Sequence, residues 1–202
     1  LVFGIGVGYL LARTRFPGRD LLDTLLTLPM VMPPTVLGYY LLVLLGRNGW
    51  IGKWLQGSFG INLIFTLKGA VIAATLVAFP LVFKPARAAF EAVDSQLEEA
   101  GRVLGISEIG IFLRVTLPLA WRGILAGVLL AFARALGEFG ATLMVAGSIP
   151  GKTQTLSIAV YEAVQAGQDA VANTLVLITS VVCVVVLLGA GRLAPGRVAH
   201  RN

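Results

Sequence analysis

Glu99-Ala100-Gly101-Arg102-Val103-Leu104-Gly105, nine further residues, and then Val115-Thr116-Leu117-Pro118 make one charged, glycine-punctuated segment between two long apolar runs. An apolar chain that gathers charge in one compact place offers a docking point outside the bilayer. The surrounding residues predict a short helix over Val93 to Leu104. Asp94 or Ser95 serves as its N-cap, and Glu98 and Glu99 sit in its first turns, where the positive dipole end favours acids. Leu97, Ala100 and Leu104 share one face. Gly105 stands where a helix ends on a left-handed residue. Ala100 and Gly101 are small enough to admit a partner's backbone, and Glu99 is placed to pair with a basic group or cap a loop. The whole candidate docking segment runs from about 91 to 118, with Leu117-Pro118 opening the next span.

The solvent for the rest of the chain follows from composition. Of 202 residues, 57% are hydrophobic and only 13% charged, against about 25% charged in an ordinary soluble domain. Net charge is +6, but the basic residues flank apolar runs instead of clustering with aromatics, so nucleic acid is not expected as a partner and membrane lipid is. Cys183 is the single cysteine and lies within an apolar run. Neither a disulfide nor a Cys/His metal set is available to it. His200 stands alone in the tail and reads as solvated.

Five apolar segments are expected to cross as helices, in a single transmembrane domain over residues 1–202. The first, Leu1 to Ala12, is shorter than the roughly 20 residues a span needs and reads as the end of a truncated helix. Thr24 to Gly46, Ile64 to Phe83, Gly123 to Ala146 and Ala170 to Gly191 follow. No alternating pattern favours a barrel, so the fold class is an all-α integral membrane protein. Arg13, Arg15 and Arg19, then Lys84, Arg87, Arg102, Arg114 and Arg122, then Arg192, Arg197 and Arg201 alternate with loops that are poorer in positive charge. The positive-inside rule puts these regions, the Glu99 segment and the C-terminus among them, in the cytoplasm.

Several features inside the spans carry chemistry. Pro29, Pro33 and Pro34 interrupt Thr24 to Gly46. Two readings stand: a kinked helix lining a gated path, or an ordinary bend in a packed bundle. Trp50, Trp54 and Phe59 predict a short interfacial helix. Arg134 and Glu138 stand four apart near the middle of the Gly123–Ala146 run and are read as a pair that supports structure or a gate. Gly123/Gly127, Ala131/Ala135 and Gly137/Ala141 repeat small residues at helix-contact spacing, with a two-fold axis as one place for them. Gly147 to Thr153 has one residue too few between its glycines for a phosphate loop, and no nucleophile–base set appears. The chain is therefore not expected to be an enzyme or to bind ATP or a metal.

The spacing of the opening segment resembles the EAA loop of ABC-importer permeases: Glu-Ala-Ala, three residues, Gly, nine residues, Ile-x-Leu-Pro. Gly101 departs from Ala and Val115 from Ile. Phe16-Pro-Gly18, the run from Leu28 to Tyr40, the run from Phe132 to Thr142, and Ser148-Ile-Pro-Gly-Lys-Thr153 extend the likeness to molybdate ABC-transporter permeases. Sulfate, thiosulfate and tungstate permeases are similar in part of it. The resemblance implies a type I importer fold in a bacterial or archaeal cytoplasmic membrane. It implies a second copy of the chain, two cytoplasmic ATPase subunits that bind ATP and Mg, and an external substrate-binding protein. Glu99, Ala100, Gly101, Gly105, Leu117 and Pro118 would then couple to the ATPase, while Pro33, Pro34, Thr35, Arg134, Glu138, Thr142 and Ser148 are candidates for the oxyanion path or its gate. A secondary transporter or channel and a structural scaffold are the alternatives from other classes.

Overall fold

The computed structural model describes residues 1–193; Arg197, His200 and Arg201 lie outside the described residues. Regular structure among the described residues is entirely helical, as hydrocarbon demands of a chain that must satisfy its own backbone. In order these are α1 (Val2–Arg13), α2 (Arg19–Val31), α3 (Pro34–Leu45), α4 (Trp50–Phe59), α5 (Leu67–Glu91), α6 (Ser95–Val103), α7 (Glu108–Ile111), α8 (Leu117–Leu136), α9 (Gly140–Ala146), α10 (Leu156–Gln165) and α11 (Asp169–Leu193). A π-helical turn, Phe112–Thr116, joins α7 to α8. Three helices are long and apolar enough to span: α5, the continuous run Glu108–Leu136, and α11. The bent pair α2–α3 and the shorter apolar α1 complete the five expected apolar segments.

Two expected spans are redrawn. Thr24 to Gly46 is not one kinked helix: α2 and α3 meet at 109°. Pro29 is tolerated inside α2, and the break falls at Met32-Pro33. Pro34 follows Pro33 and pushes it into extended geometry (φ −54°, ψ 133°), while Pro34 itself suits the first helical position, where its missing N–H costs nothing. Gly123 to Ala146 is likewise not one helix. The span begins earlier, at Glu108, and α8 stops at Leu136 before the separate α9. Arg134 and Glu138 therefore sit at the end of a span and just beyond it, not in its middle. Lys84 and Arg87, read as loop charges, belong to the last turns of α5.

Contacts group the chain into two compact units. One comprises residues Leu1–Asp23, Phe79–Ala131 and the described residues from Val185. Its core holds Ala86, Phe90, Val93, Ala120 and Ile124, with Ile5, Tyr9 and Phe112 packed against them. The Tyr9 ring meets Phe90 and Phe112 edge-on, with centroids 5.2 and 4.8 Å away. Close helix approach depends on glycine here. A Cβ on Gly123 would stand 2.7 Å from that of Ala89, and one on Gly127 would stand 2.7 Å from the Pro85 Cβ. The Gly123/Gly127 pair on α8 thus seats α5 of the same chain.

The other unit comprises Thr24–Ala78 and Phe132–Val184. Leu37, Leu41 and Leu45 of α3 pack with Leu63, Ala73, Val77, Ala141 and Val145. Gly38 lets α9 come close, since a Cβ there would lie 2.8 Å from Met144 Cβ. The N–H of Phe65 donates to the carbonyl of Val145 at 2.9 Å. Helix α4 presents Trp50, Trp54 and Phe59 outward, as the aromatic composition anticipated.

Gly127→Leu is expected to destabilise the protein by about 1–3 kcal/mol, the usual penalty of overpacking, seen as a lower thermal midpoint in detergent. Gly57→Ala, in open space on α4, should not lower that midpoint.

Candidate coupling site

The segment that opened the sequence reading folds as a capped unit. Asp94, not Ser95, is the N-cap of α6: its carboxylate accepts from the Gln96 N–H at 2.9 Å. At the other end the Ile106 N–H donates to Gly101 and the Gly105 N–H to Arg102, at 3.0 and 2.9 Å. That is the Schellman arrangement, which needs a left-handed residue, and Gly105 supplies it with φ +75°. Ser107 then caps α7 by accepting from the Gly110 N–H.

Leu117-Pro118 explains the π turn. Proline lacks an N–H and its ring crowds the carbonyl four residues back, here Arg114. The helix widens, and Leu117 N–H reaches back five residues to Phe112. Such a bulge shifts side chains by one residue of register, about 100° around the axis. Thr116 is thereby fully buried.

Helix α6 has an exposed apolar face and a buried face. Leu97, Val103, Leu104 and, beyond the turn, Ile109 are exposed, the last three by 87%, 79% and 74%. Ala100 and Glu99 are exposed with them. Gly101 is not part of this outer face. It is buried, and a Cβ there would stand 3.1 Å from Ile111, so its small size serves packing within the chain. Glu98 also turns inward and is 5% exposed. Its Oε1 accepts from Thr116 Oγ1 at 2.6 Å and from an Arg13 guanidinium nitrogen. A cavity of about 330 Å³ adjoins it, lined by Tyr9, Arg13, Glu98, Arg102, Glu108 and Thr116 among others. Arg102 grips Glu108 with two contacts of 2.7 and 3.2 Å, and this bonded carboxylate raises the Arg102 pKa above its ordinary value.

Sequence reasoning chose Glu99 and passed over Glu98, Arg13 and Thr116. One signal was present: Glu98 and Gly101 lie three apart on α6, so an acid and a small residue share a face. Another charge cluster was read only as topology. Arg87 donates to Glu91 and Asp23 at 2.8 and 2.9 Å, and Arg19 joins Glu91 at 2.8 Å. These bonds tie the start of α2 to the end of α5.

The residues considered for a path or gate divide. Arg134 and Glu138 do pair, at 3.0 Å between Nη2 and Oε2, with Glu138 1% and Arg134 35% exposed. This contact lacks hydrogen-bond alignment, since Glu138 Oε2 has no hydrogen-bond partner. Glu138 Oε1 accepts from Ala141 N–H at 2.9 Å, so it also holds the start of α9. Thr142 donates back to Phe139 and Glu138 carbonyls, so its buried hydroxyl is spent on the residues that lead into α9. Pro34 and Thr35 adjoin this point: a Cβ on Gly140 would lie 3.0 Å from Pro34 Cβ and 3.3 Å from Thr35 N. Pro33 is exposed. Ser148 lies past the far end of α9, its Oγ buried without a partner. In the loop 147–153, the N–H groups of Lys152 and Thr153 both donate to Ile149 O, and Thr153 Oγ1 accepts from Ile149 N–H. Its donors turn inward, unlike a phosphate cradle.

Three helices long and apolar enough to span, with a short, capped helix between two of them, define the class of a multi-pass helical membrane protein. A family model described as "Binding-protein-dependent transport system inner membrane component" matches residues 4–198, and the chain belongs to that family. Over 189 residues it is 47% identical to the molybdenum transport system permease protein ModB of Escherichia coli K12, covering 93% of this chain and 82% of that one. It is 42% identical to the sulfate transport system permease protein CysW of Synechocystis, over 93% of this chain and 67% of that one. Among solved structures, the inward-facing MetNI methionine ABC transporter shares the fold, with TM-score 0.70 at 19% identity, covering 95% of this chain and 84% of that one. The expected ABC-importer permease fold is thus found.

Two predictions arise here. Gly105→Val should cost roughly 1–2 kcal/mol, the penalty of a left-handed residue with a Cβ, read as faster amide hydrogen exchange over residues 95–106. Gly105→Asn should lose less, because Asn tolerates that conformation. Arg134→Ala should destabilise by about 3 kcal/mol by stranding the Glu138 charge, the low end for a broken buried pair because Arg134 is part-exposed, measured by thermal unfolding in detergent. Arg134→Ala with Glu138→Gln should recover most of this, because the amide oxygen still caps Ala141 without a charge.

Proposed function

We propose that this chain is the membrane-spanning permease of an ATP-driven importer that carries molybdate across the cytoplasmic membrane. The observation that carries this reading is the 47% identity to a molybdenum permease over 93% of the chain, in a chain whose α6 presents Leu97, Ala100, Val103 and Leu104 outward. That apolar edge, with Glu99 beside it, suits a groove in a cytoplasmic ATPase subunit. ATP and Mg would be bound by that subunit and hydrolysed there, not on this chain. Two copies of the chain, each a single transmembrane domain, would enclose the path. An external binding protein would deliver the oxyanion, and α6 and the C-terminus would face the cytoplasm.

A dianion crossing a low-dielectric slab needs hydrated or polar walls. Thr35, exposed at the start of α3, and Ser148, with an unspent hydroxyl, remain candidates for that role. Arg134 and Glu138 fit better as a brace at the α9 start that supports a gate. The bent α2–α3 pair with Pro33 and Pro34 suits a re-entrant element beside the path. The 42% identity to a sulfate permease favours sulfate as the second reading.

The test is reconstitution with a cognate ATPase and binding protein. Molybdate uptake driven by ATP is expected, with sulfate excluded at the binding protein by calorimetry. Sulfate uptake without molybdate uptake would replace the first reading by the second. Glu99→Lys should weaken co-purification of the ATPase by roughly ten-fold, about 1.4 kcal/mol of interface energy; recovery at the unsubstituted yield would show that Glu99 does not meet the ATPase.

A further inference from the structure

The inner side of α6 carries a device that the motif spacing does not mark. Only Glu98 and Gly101 of this helix are buried. Gly101 meets Ile111 by packing alone, and a packing contact resists compression but not separation. Glu98 is different. One carboxylate oxygen accepts from Arg13, the last residue of α1, and from Thr116, the last residue of the π turn that leads into α8. A carboxylate at 5% exposure must be compensated by charge and hydrogen bonds or its burial is costly, so these two partners hold it under pull as well as push. The adjoining polar cavity of about 330 Å³ gives the surrounding side chains room to move around the fixed carboxylate. The π turn is what turns Thr116 toward it.

We propose that Glu98 is the positioning residue of the coupling segment: through Arg13 and Thr116 it carries displacement of α6 into α1 and α8, while Glu99 and the apolar edge only hold the partner. This rests on the reading of α6 as the ATPase-docking helix. Docking and transmission then reside on opposite faces of one nine-residue helix and are separable by mutation.

The experiment uses the full chain reconstituted with its ATPase and binding protein in liposomes, with molybdate as probe. ATP hydrolysis, molybdate uptake and ATPase affinity are measured separately. Glu98→Gln and Thr116→Val should each lower molybdate moved per ATP by about ten-fold, the scale of one lost charge-assisted hydrogen bond, with ATPase affinity kept. Thr116→Ser restores the hydroxyl and should keep the unsubstituted ratio, which a purely steric role of Thr116 does not require. If Glu98→Gln does not yield folded protein, Thr116→Val decides, since it preserves the Arg13–Glu98 pair. An unchanged transport ratio in Thr116→Val overturns the proposal, as does a loss that appears only as weaker ATPase binding. Failure of the unsubstituted chain to bind the ATPase would instead overturn the docking reading itself.

Discussion

Hydrocarbon cannot hydrogen-bond a peptide group, so each backbone N–H and C=O inside it must find a partner within the protein. That requirement makes the described chain helical, and at two places it makes a proline's effect visible. Pro33-Pro34 ends one helix and starts another at 109°. Pro118 widens the helix into a π turn and leaves it continuous. The difference is local. At Pro34 the preceding residue is itself a proline in extended geometry, which suits a helix start. At Pro118 the preceding residues are ordinary and absorb the missing bond by reaching one residue further back.

The coupling segment is built on the second of these adjustments. Thr116 is buried because the widened turn directs it inward, and Glu98 is buried because Thr116 and Arg13 are there to satisfy it. The Schellman turn at Gly105 then reverses the chain within a few residues, so that α6 and α7 present Leu104 and Ile109 to the same solvent. The segment is held by polar bonds on its inner side and leaves apolar side chains on its outer side. Polar bonds inward and apolar side chains outward invert the usual order of a small helix, which is consistent with a protein partner covering the outer face.

Much of this was legible from residues alone. The apolar runs, Gly105 as a helix end, the α4 aromatics and the Arg134–Glu138 spacing all depend on local chemistry over a few residues. What was misjudged depended on neighbours far along the chain. That the buried acid of the segment is Glu98 was not foreseen, because its partner Arg13 lies 85 positions away. Gly123 and Gly127 had the spacing of a helix contact, and only the fold showed Pro85 and Ala89 to be what they touch. The end of α8 at Leu136 was hidden because Gly137 to Phe139 are as apolar as a span, apart from one acid.

The sequence by itself determined the apolar solvent, the class of element and the place of the capped, charged segment, because hydropathy, prolines and caps act at short range. Only the tertiary structure decided which acid is buried, which glycines are contacts and which hydroxyl is spent, because burial and hydrogen-bond partners belong to pairs of residues. Their meeting is settled by packing, and no spacing along one strand of text contains it.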